Sequence, residues 1–494
     1  MTTPTFSEDL QRVGDVPVTD AATAAASVND DATLLVSGFG SVGDPKAVPL
    51  EIAKAAEAGE RDPELTVVSG GSVGDPIDTA LIQADAVARR YPYQARSAAR
   101  TAVDDRSVAF ADRGIAGLSD EVRFGRLVDP DIAVVEAVAV GHDWLVPSTS
   151  LGQTPGYVAA ADELVVEVNA AQPVALGQFH DVYLTDAPPN RDPIPLSAPG
   201  DRIGDPFVRF DSEKLRAVVQ TNEPDDPYKF REPTAADRAI ADNVVQFLRT
   251  EADRDPVVAD APTLQFGVGS LGNALMGALA DTELLNGDGP PLRYFGEVIQ
   301  DGLLDILDTG RLAAASATSL ALSADGQERL FAEPERYADR IVLRPSAVSN
   351  APALIDRTGV VAINTAVAVD IYGHVNSTHL NATHVLNGVG GSVDFLRNAH
   401  CSIVATPATA ADGDVSTVVP MVSHVDHTEH DIDVVVTEHG VADLRGCSPV
   451  ERAERILRIA DPAFRPDLRR YLDHARTSGG HVPHDLDRAF DWQR

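Results

Sequence analysis

Two segments, about half the chain apart, each run from a short apolar stretch into closely spaced glycines. The first leads from Thr33–Val36 into Gly38-Phe-Gly-Ser-Val-Gly43, and the second leads from Thr263–Phe266 into Gly267-Val-Gly-Ser-Leu-Gly272. A short apolar run that ends at such a turn is typical of a buried strand followed by a helix. The repeated pattern predicts two related α/β halves.

Further apolar runs predict more strands of the same kind. Leu65–Val68, Ile132–Val140 and Leu164–Val168 are rich in Val and Leu, whereas Val48–Ala58 is rich in Ala and has helical character. Strands that alternate with helices favour an α/β fold with an open, mainly parallel sheet.

A proline-rich region separates the two predicted halves. Asp186–Pro206 reads as a long surface loop, and Thr221–Pro233 reads as the linker. The next helix has a clear start, since Thr234 can cap it and Asp237 follows three residues later. We therefore expect an N-terminal domain over residues 1–230 and a C-terminal domain over residues 231–494.

The charge of the chain excludes several classes of partner. There are 75 acidic and 40 basic residues, which gives a net charge of −35 at pH 7. Such a surface repels polyphosphates and anionic membranes, so we expect no nucleic-acid or membrane partner. Only four of the basic residues are lysines. This composition favours a protein adapted to concentrated salt, the alternative being an ordinary acidic protein.

Localisation is predicted from the N-terminus and the cysteines. The first twenty residues contain no basic start and no apolar core of a signal peptide, and no stretch has the ~20 apolar residues of a membrane helix. Only Cys401 and Cys447 are present, so no disulfide framework is implied. We expect a cytoplasmic protein in which both cysteines are small apolar residues rather than nucleophiles.

The glycines from Gly38 to Gly43 have the spacing of a dinucleotide-binding turn. In that interpretation, the backbone and a helix N-terminus face a pyrophosphate. Two alternatives stay open from the residues alone: a tight structural turn, and a loop beside a different ligand.

A histidine-rich segment, His424-Val-Asp-His-Thr-Glu-His-Asp431, could indicate a metal site. The residues after it read as a strand, so we expect the segment to be a loop. In a loop, these side chains can hydrogen-bond to one another without a metal, and we favour that interpretation.

Two further features suggest chemistry. Glu297 follows the strand-forming residues Tyr294 and Phe295, at the kind of strand end where open α/β sheets bind ligands. The alternative is a carboxylate stabilised by a helix dipole. Gly388-Val-Gly-Gly-Ser392 could present N–H groups to an anion, or could be a plain tight turn.

These motifs together resemble the acetyl-CoA hydrolase/transferase family, which includes succinyl-CoA:acetate and 4-hydroxybutyrate CoA-transferases. The similar sequence motifs extend over nearly the whole chain and are most specific in the C-terminal half. It includes GFGSVGDPKAVP (38–49), RRYPYQA (89–95), FGVGSLGNAL (266–275), GEVIQDGLLDIL (296–307), ASATSLALS (315–323), VLRPSAVSN (342–350), NTAVAVDIYGHVNSTH (364–379), NGVGGSVDFLRNA (387–399) and PMVSHVDHTEHDIDVVVTEHGVADLRG (420–446).

The resemblance implies two tandem CoA-transferase-like α/β domains, a homodimer and a set of site residues. It identifies Glu297 as the nucleophile, with Asn350 beside it. It places the backbone N–H groups of Val268 and Gly391 near the oxyanions of the reaction. The loops expected to contact CoA contain Gly267, Val268, Gly269, Ser270, Asn387 and Gly391.

The implied activity is transfer of CoA between acetyl-CoA, or another short acyl-CoA, and a carboxylic acid through a glutamyl-CoA thioester. Acetyl-CoA hydrolysis is the alternative, and a non-catalytic acyl-CoA-binding protein is an alternative of another class. CoA enters as a substrate, so no metal and no permanently bound cofactor are expected. The chain departs from the family at Ala411 and Asp414, where relatives carry lysines and one of these contacts CoA.

Overall fold

The computed structural model describes residue 6 and residues 10–93, 95–259, 262–280 and 291–491. Its helices alternate with its strands along the chain. The α-helices are Ala21–Ala26, Ala47–Glu57, Ser97–Asp104, Ile115–Arg123, Thr154–Ala160, Ala235–Ala252, Pro256–Ala259, Ser270–Ala280, Asp301–Asp308, Ala324–Ala332, Pro334–Ala338, Ser346–Ser349, Pro352–Arg357, Ser392–Asn398, Pro449–Ile459 and Arg465–Ala475.

The chain forms two compact units. The first contains residues 1–229, 294–307 and 313–354, and the second contains residues 230–293, 308–312 and 355–494. The division into continuous domains over 1–230 and 231–494 stays a prediction.

The first unit is built on a ten-stranded sheet. Eight strands form its main path, in which every pairing is parallel. Along this path the strands are Val18–Thr19, Leu215–Thr221, Glu163–Asn169, Ile132–Val140, Thr33–Val36, Leu65–Val68, Val87–Tyr91 and Ala109–Phe110. The strand Trp144–Pro147 pairs antiparallel with Ile132–Val140. The strand Val208–Arg209 in turn pairs antiparallel with Trp144–Pro147.

Burial on both faces explains the composition of this sheet. Every residue of Ile132–Val140 is buried. Alternate side chains of this strand enter two different apolar clusters, one containing Ile132 and Val134 and the other Ala133 and Val135. A strand covered on both sides reads as a continuous apolar run, as this one does.

The remaining strands of the first unit come from residues 298–343 and form short parallel pairings. Val298–Ile299 pairs in parallel with Ser319–Leu320. The end of Leu312–Ala317 pairs in parallel with Ile341–Leu343. The strand Leu292–Phe295 lies immediately before this group in the sequence.

The second unit repeats the local order seen in the first. Its parallel strands are, side by side, Thr263–Phe266, Val360–Thr365, Cys401–Ala405 and Val434–Thr437, with Gly440–Asp443 antiparallel at the edge. In the first unit, Thr33–Val36 is followed across the sheet in the same way by three parallel strands, Ile132–Val140, Glu163–Asn169 and Leu215–Thr221. The two strands that carry the repeated glycine motif thus occupy equivalent positions.

Short pairings complete the second unit. Ala368–Asp370 pairs with Val375–Asn376 and with Val418–Val419. His379–Leu380 pairs with His384–Val385, and Thr409–Ala410 pairs with Val415–Ser416.

Several local predictions are confirmed. The predicted strands near residues 34, 66, 136 and 166 are present, and the helix predicted over Val48–Ala58 spans Ala47–Glu57. Thr234 and Asp237 form a reciprocal capping box at the start of Ala235–Ala252. None of the described helices combines the length and apolar character needed to cross a bilayer.

Candidate active site

Glu297 lies in a sharp connection between the strands Leu292–Phe295 and Val298–Ile299. Its carbonyl oxygen accepts the backbone N–H groups of Thr318 at 2.8 Å and Ser319 at 3.1 Å. These two bonds fix the main chain from which the half-buried carboxylate projects. The next helix begins at Asp301, so Glu297 lies outside its first turn.

The glycine before Glu297 is required by close packing. The hydroxyl of Tyr294 donates to the carbonyl of Val298 at 3.1 Å and thereby passes under the connection. A Cβ at position 296 would lie 2.4 Å from that hydroxyl oxygen. Gly296 therefore allows the chain to turn so tightly that Glu297 stands at the bend.

Asn350 is the direct partner of the Glu297 carboxylate. Its Nδ2 donates to Glu297 Oε1 at 3.0 Å, and its side chain is completely buried. Asn350 directly follows the short helix Ser346–Ser349, and its own N–H donates to Ser346 at 2.9 Å. A hydrogen bond to an ionised oxygen is among the stronger ones in proteins, so this contact orients the carboxylate.

Tyr93 lies near Glu297. Burial raises the pKa of the Tyr93 phenol, and the nearby Tyr228 and Glu297 raise it further. Tyr93 is thus a neutral phenol beside a carboxylate. Its φ of 24° lies in the left-handed region, a conformation that is costly for an aromatic residue and tends to occur at functional sites.

The apolar side of this site is small. Val298, directly after Glu297, packs with Phe39, Ile115 and Ala321, and Tyr228 lies against the same cluster. Phe39 comes from the Gly38–Gly43 turn, so that turn contributes to the surroundings of Glu297.

The helix after the Gly38–Gly43 turn has its N-terminus occupied by an internal carboxylate. Glu167 accepts the backbone N–H groups of Lys46, Ala47 and Val48 at 2.7, 3.0 and 2.6 Å. A pyrophosphate in the dinucleotide-binding mode would need these same donors. The dinucleotide interpretation therefore does not fit this turn, which packs through Phe39 against Val298.

The second unit contains the other predicted residues, on two loops. Gly267–Ser270 connects the strand Thr263–Phe266 to the helix Ser270–Ala280, as the strand–turn–helix pattern predicts. Beneath it, the amides of Gln265 and Asn364 exchange hydrogen bonds of 2.9 and 3.3 Å. The Val268 side chain is exposed, and Gly269 has a φ of 140°, which a side chain would oppose.

An arginine that the sequence analysis did not single out lies beside this loop. Arg231 donates to the Ser270 hydroxyl at 2.8 Å and to Asp237 at 3.2 Å, while most of its side chain stays exposed. Arg231 places a positive charge next to Gly267–Ser270 in a chain whose charge is otherwise strongly negative.

The second loop runs from Asn387 to Gly391, before the helix Ser392–Asn398. Asn387 Nδ2 donates to the carbonyl oxygens of Ser377 and Gly388, both at 3.1 Å. Gly390 has a φ of 57°, and Gly391 is the last residue before the helix. The chain turns at Gly390 and Gly391, a geometry that fits both a plain turn and an anion-binding segment.

The histidine-rich segment is a loop, as predicted. His374 lies outside this segment, and its Nε2 bonds to Glu429 of the segment at 2.7 Å. Its Nδ1 bonds to Asp370 at 3.1 Å, and this bond raises the pKa of His374. His424 Nε2 lies 3.2 Å from Asp426. Among the described residues, no group of three or more His, Cys, Asp or Glu side chains is arranged to hold a metal ion.

The segment that lacks the family lysines is an exposed hairpin tip. Ala411 and Asp414 are exposed, and Ala411 and Asp412 have φ values of 50° and 55°. The tip carries two acidic residues and no basic one, so it offers no cation to a phosphate.

Both cysteines are free thiols, Cys401 buried and Cys447 partly exposed. Cys401 is buried in a central strand, and burial raises the pKa of its thiol to about 12. A thiol that stays protonated at neutral pH is a poor nucleophile.

The structure thus joins two of the predicted residues, Glu297 and Asn350, by a hydrogen bond within the first unit. Gly267 to Ser270 lie on one loop of the second unit, and Asn387 and Gly391 lie on another. Tyr93, Thr318 and Ser319 were missed as individual residues. The only signal that pointed to them was their membership of the motifs RRYPYQA and ASATSLALS.

Two family models match the chain. The Acetyl-CoA hydrolase/transferase N-terminal domain matches residues 17–221, and the Acetyl-CoA hydrolase/transferase C-terminal domain matches residues 326–472. Together they cover well over half of the sequence.

Curated relatives are similar over nearly their full length. Succinyl-CoA:acetate CoA-transferase of Clostridium kluyveri is 39% identical over 478 residues, which is 96% of this chain and 88% of that protein. Propanoyl-CoA:succinate CoA transferase of Escherichia coli is 39% identical and covers 95% and 96%. Acetyl-CoA hydrolase of Eremothecium gossypii is 38% identical and covers 92% and 89%.

Solved structures show the same fold. RipA from Yersinia pestis superposes with a TM-score of 0.71 at 22% identity, covering 92% of this chain and 96% of that one. A 4-hydroxybutyrate CoA-transferase from Porphyromonas gingivalis superposes with a TM-score of 0.62 at 20% identity, covering 94% and 98%. The predicted α/β fold of the CoA-transferase type is confirmed.

Proposed function

The chain belongs to the acetyl-CoA hydrolase/transferase family, and from this premise we propose that it transfers CoA between a short acyl-CoA, such as acetyl-CoA, and a carboxylic acid. The observation that carries the proposal is the hydrogen bond of 3.0 Å from buried Asn350 to the Glu297 carboxylate. It orients a carboxylate that sits at a bend, half-buried, on a rigidly held main chain.

In the proposed reaction, Glu297 attacks the thioester carbonyl. The C–S bond breaks, CoA leaves as a thiolate, and a mixed anhydride of Glu297 and the acyl group remains. The thiolate then attacks the glutamyl carbonyl, which releases the first acid and leaves a glutamyl-CoA thioester. An acceptor carboxylate reverses these steps and departs as the new acyl-CoA. Covalent catalysis divides one difficult exchange into easier ones.

Asn350 has a defined task in this scheme. Its amide holds Oε1 and so fixes the orientation in which the carboxylate attacks. The phenol of Tyr93 near Glu297 stays neutral and adds no charge there. A carboxylate that is held by a fixed donor and partly removed from water is a better nucleophile than a fully hydrated one.

Each tetrahedral intermediate carries an oxyanion that needs preorganised donors. We propose the backbone N–H groups of Val268 and Gly391 for this role. Both follow glycines in loops that precede helices. We also propose that Gly267 to Ser270, Asn387 and Gly391 contact CoA.

Arg231 is our proposed replacement for the missing lysine contact. It lies at the Ser270 end of the predicted CoA loop, and 65% of its side chain is exposed. Arginine keeps its charge at any working pH and recognises phosphate well.

Transfer and hydrolysis differ in what resolves the acyl intermediate, which is a carboxylate in one case and water in the other. We favour transfer, because a glutamyl-CoA thioester serves to hold CoA between two acids and a hydrolase has no use for it. Retention of Glu297 with its Asn350 partner argues against the alternative of a non-catalytic acyl-CoA-binding protein.

We propose further that the enzyme works as a cytoplasmic homodimer adapted to salt, without a metal or a permanently bound cofactor. The net charge of −35 with only four lysines supports the salt adaptation. The chemistry supports the absence of a cofactor, since a thioester and an anhydride are similar enough in energy to exchange without one.

The test is to incubate the protein with acetyl-CoA in molar salt, with and without succinate. Chromatography follows the CoA species, and mass spectrometry follows the peptide that contains Glu297. Transfer requires succinyl-CoA with little free CoA, together with a CoA-sized adduct on that peptide. Free CoA released at one rate whether or not succinate is present would favour hydrolysis. Other carboxylic acids are then tested as acceptors, to check that succinate was not simply the wrong acid.

Glu297→Gln is the matched variant, because it preserves the shape and the Asn350 contact but removes the nucleophile. We expect it to lose turnover and adduct formation while it keeps the wild-type melting temperature. Turnover within tenfold of wild type would contradict the assignment of Glu297 as nucleophile.

A further inference from the structure

The histidine-rich segment His424–Asp431 has no part in the function proposed above. In the structure, two consecutive side chains of the segment bond to residues that support opposite ends of the loop Asn387–Gly391. Asp426 acts on the start of the loop and His427 acts on its end.

At the start of the loop, Asp426 holds the residues that support Asn387. Its carboxylate accepts the N–H of Ser377 at 2.6 Å and the hydroxyl of Thr378 at 2.9 Å. The carbonyl of Thr378 in turn accepts the N–H of Leu386 at 2.8 Å, and that of Ser377 accepts Asn387 Nδ2 at 3.1 Å. The position of Asn387 thus depends on Asp426 through one intervening pair of residues.

At the end of the loop, His427 holds Ser392. The Ser392 hydroxyl donates its single hydrogen to the carbonyl of Val389 at 2.7 Å, which closes the turn around Gly390 and Gly391. His427 Nε2 lies 3.3 Å from the same hydroxyl oxygen. Because that hydrogen is already used, His427 Nε2 must be the donor in this contact.

The segment that carries both side chains is itself rigidly held. The N–H groups of Asp426 and His427 donate to the carbonyl of Val375 at 2.9 and 3.2 Å, and Val375 N–H donates to His427 at 2.9 Å. Only 1% of His427 is exposed. Asp431, at the end of the segment, pairs at 3.1 Å with Arg397 of the helix that follows the loop.

The charged groups near His427 are Asp426, Asp431 and Arg397. Burial lowers the pKa of His427, and the two carboxylates oppose this effect only in part. The ring is therefore neutral at pH 7, with its hydrogen on the nitrogen that faces Ser392.

We propose that Asp426 and His427 are positioning residues that clamp the loop Asn387–Gly391 at its two ends and so fix the N–H of Gly391 for the reaction. This inference rests on the proposed function, in which Gly391 supplies an oxyanion donor and Asn387 contacts CoA. It gives the histidine-rich segment a role in catalysis that needs no metal and no contact with the substrate.

The test compares His427→Leu, which removes the donor, with His427→Gln, which can present an amide N–H in its place. Ser392→Ala and the double variant His427→Leu/Ser392→Ala complete a thermodynamic cycle. His430→Gln is the matched control, because His430 belongs to the same segment, is highly exposed and pairs only with Glu429 at 3.5 Å in the described part of the chain. Each variant is assayed for kcat and KM with acetyl-CoA and succinate, and amide hydrogen exchange is measured over residues 386–392.

We expect His427→Leu and Ser392→Ala each to lower kcat by about tenfold or more, because a small misplacement of a catalytic donor is costly. His427→Gln should recover most of this loss and His430→Gln should show none. The double variant should be no slower than Ser392→Ala alone, since both changes break the same contact. Exchange at 386–392 should accelerate in the two impaired single variants.

Unchanged kcat in Ser392→Ala and His427→Leu would overturn the inference, and so would unchanged exchange over the loop. If His427→Leu does not fold, Ser392→Ala and His427→Gln decide the matter, because each alters only a few atoms. Failure of the proposed function itself would show differently, as a wild-type protein without turnover or with turnover that survives Glu297→Gln.

Discussion

At the scale of single residues, the Glu297–Asn350 pair shows how a carboxylate becomes a directed nucleophile. A surface glutamate rotates freely and keeps its hydration, whereas Glu297 is held at its backbone by two N–H groups and at Oε1 by Asn350. Both kinds of contact come from residues 21 to 53 positions further along the chain, so their effect on Glu297 arises only on folding.

The Asn350 contact leads to a first prediction. Asn350→Ala should lower kcat by about 10- to 100-fold, because a hydrogen bond to a charged group contributes about 1.5–3 kcal/mol. Asn350→Asp should be more severe at pH 7, since it sets a second carboxylate against Glu297. Steady-state kinetics with acetyl-CoA and succinate measures both, and exposed Asn222→Asp is the control. Equal activity of Asn350→Asp and the wild type would contradict the role given to the amide.

Asp44 leads to a second prediction, for stability against pH. Its side chain is fully buried, Oδ2 has no hydrogen-bond partner in the described part of the chain, and burial raises the pKa of Asp44 to about 7. A raised pKa means that the folded state binds the proton more tightly than the unfolded chain. The stabilising effect is therefore complete below about pH 4 and is lost as the pH rises towards 7, by up to ~1.4 kcal/mol per pH unit.

Asp44→Asn should remove this dependence, because the amide cannot ionise. The free energy of unfolding of Asp44→Asn minus that of the wild type should rise between pH 4 and pH 7 and then level off. Denaturant titrations at pH 5, 6, 7 and 8 measure this difference. A difference that stays constant over the range would contradict a protonated Asp44 in the fold.

At the scale of elements, the helix Ala47–Glu57 is capped from a distant strand. Lys46, the residue before it, makes no side-chain cap, and the first N–H groups are satisfied by Glu167 of the strand Glu163–Asn169. The helix start is thereby tied to the sheet, and with it the turn Gly38–Gly43 that contributes Phe39 to the surroundings of Glu297.

Glu167 leads to a third prediction. Glu167→Gln should lower the free energy of unfolding by about 1–3 kcal/mol, because the new amide N–H groups meet backbone donors that stay buried and unsatisfied. Glu163→Gln on the same strand is the matched control. Glu163 forms a surface ion pair with Arg216, which is worth about 0–1 kcal/mol. Chemical denaturation measures both variants, and equal losses would contradict the capping role.

Features that depend on neighbouring residues were predictable from the sequence, whereas features that depend on distant residues were not. Patterns within one element were readable, such as the capping box of Thr234 with Asp237 or the buried run Ile132–Val140. The glycine turn Gly38–Gly43 was ambiguous, because its spacing suits a nucleotide as well as a structural turn. Glu167, more than 100 residues away, excludes the nucleotide interpretation by occupying the helix N-terminus.

At the scale of the whole molecule, charge is the dominant property. A net charge of −35 repels itself in the folded state at low salt. The screening length falls from about 10 Å at 0.1 M salt to about 3 Å at 1 M, which shortens the range of that repulsion.

The fourth prediction follows from this charge. The melting temperature should rise substantially between 0.1 and 2 M KCl, with activity rising in parallel. Sucrose is the control, because it strengthens burial by exclusion but screens no charge. Differential scanning calorimetry measures the melting temperatures. A melting temperature that is flat or falling in KCl would contradict salt adaptation.

The sequence by itself determined the α/β class, the repeated strand–turn–helix unit and the family, because these depend on local periodicity and on contiguous motifs. It also pointed to Glu297 and to the glycine loops. The tertiary structure alone decided which groups meet: Asn350 with Glu297, Glu167 with the helix Ala47–Glu57, Asp426 with Ser377 and Thr378, and His427 with Ser392. These contacts join residues 35 to 121 positions apart in the sequence, and only packing of the folded chain brings such residues within hydrogen-bond distance.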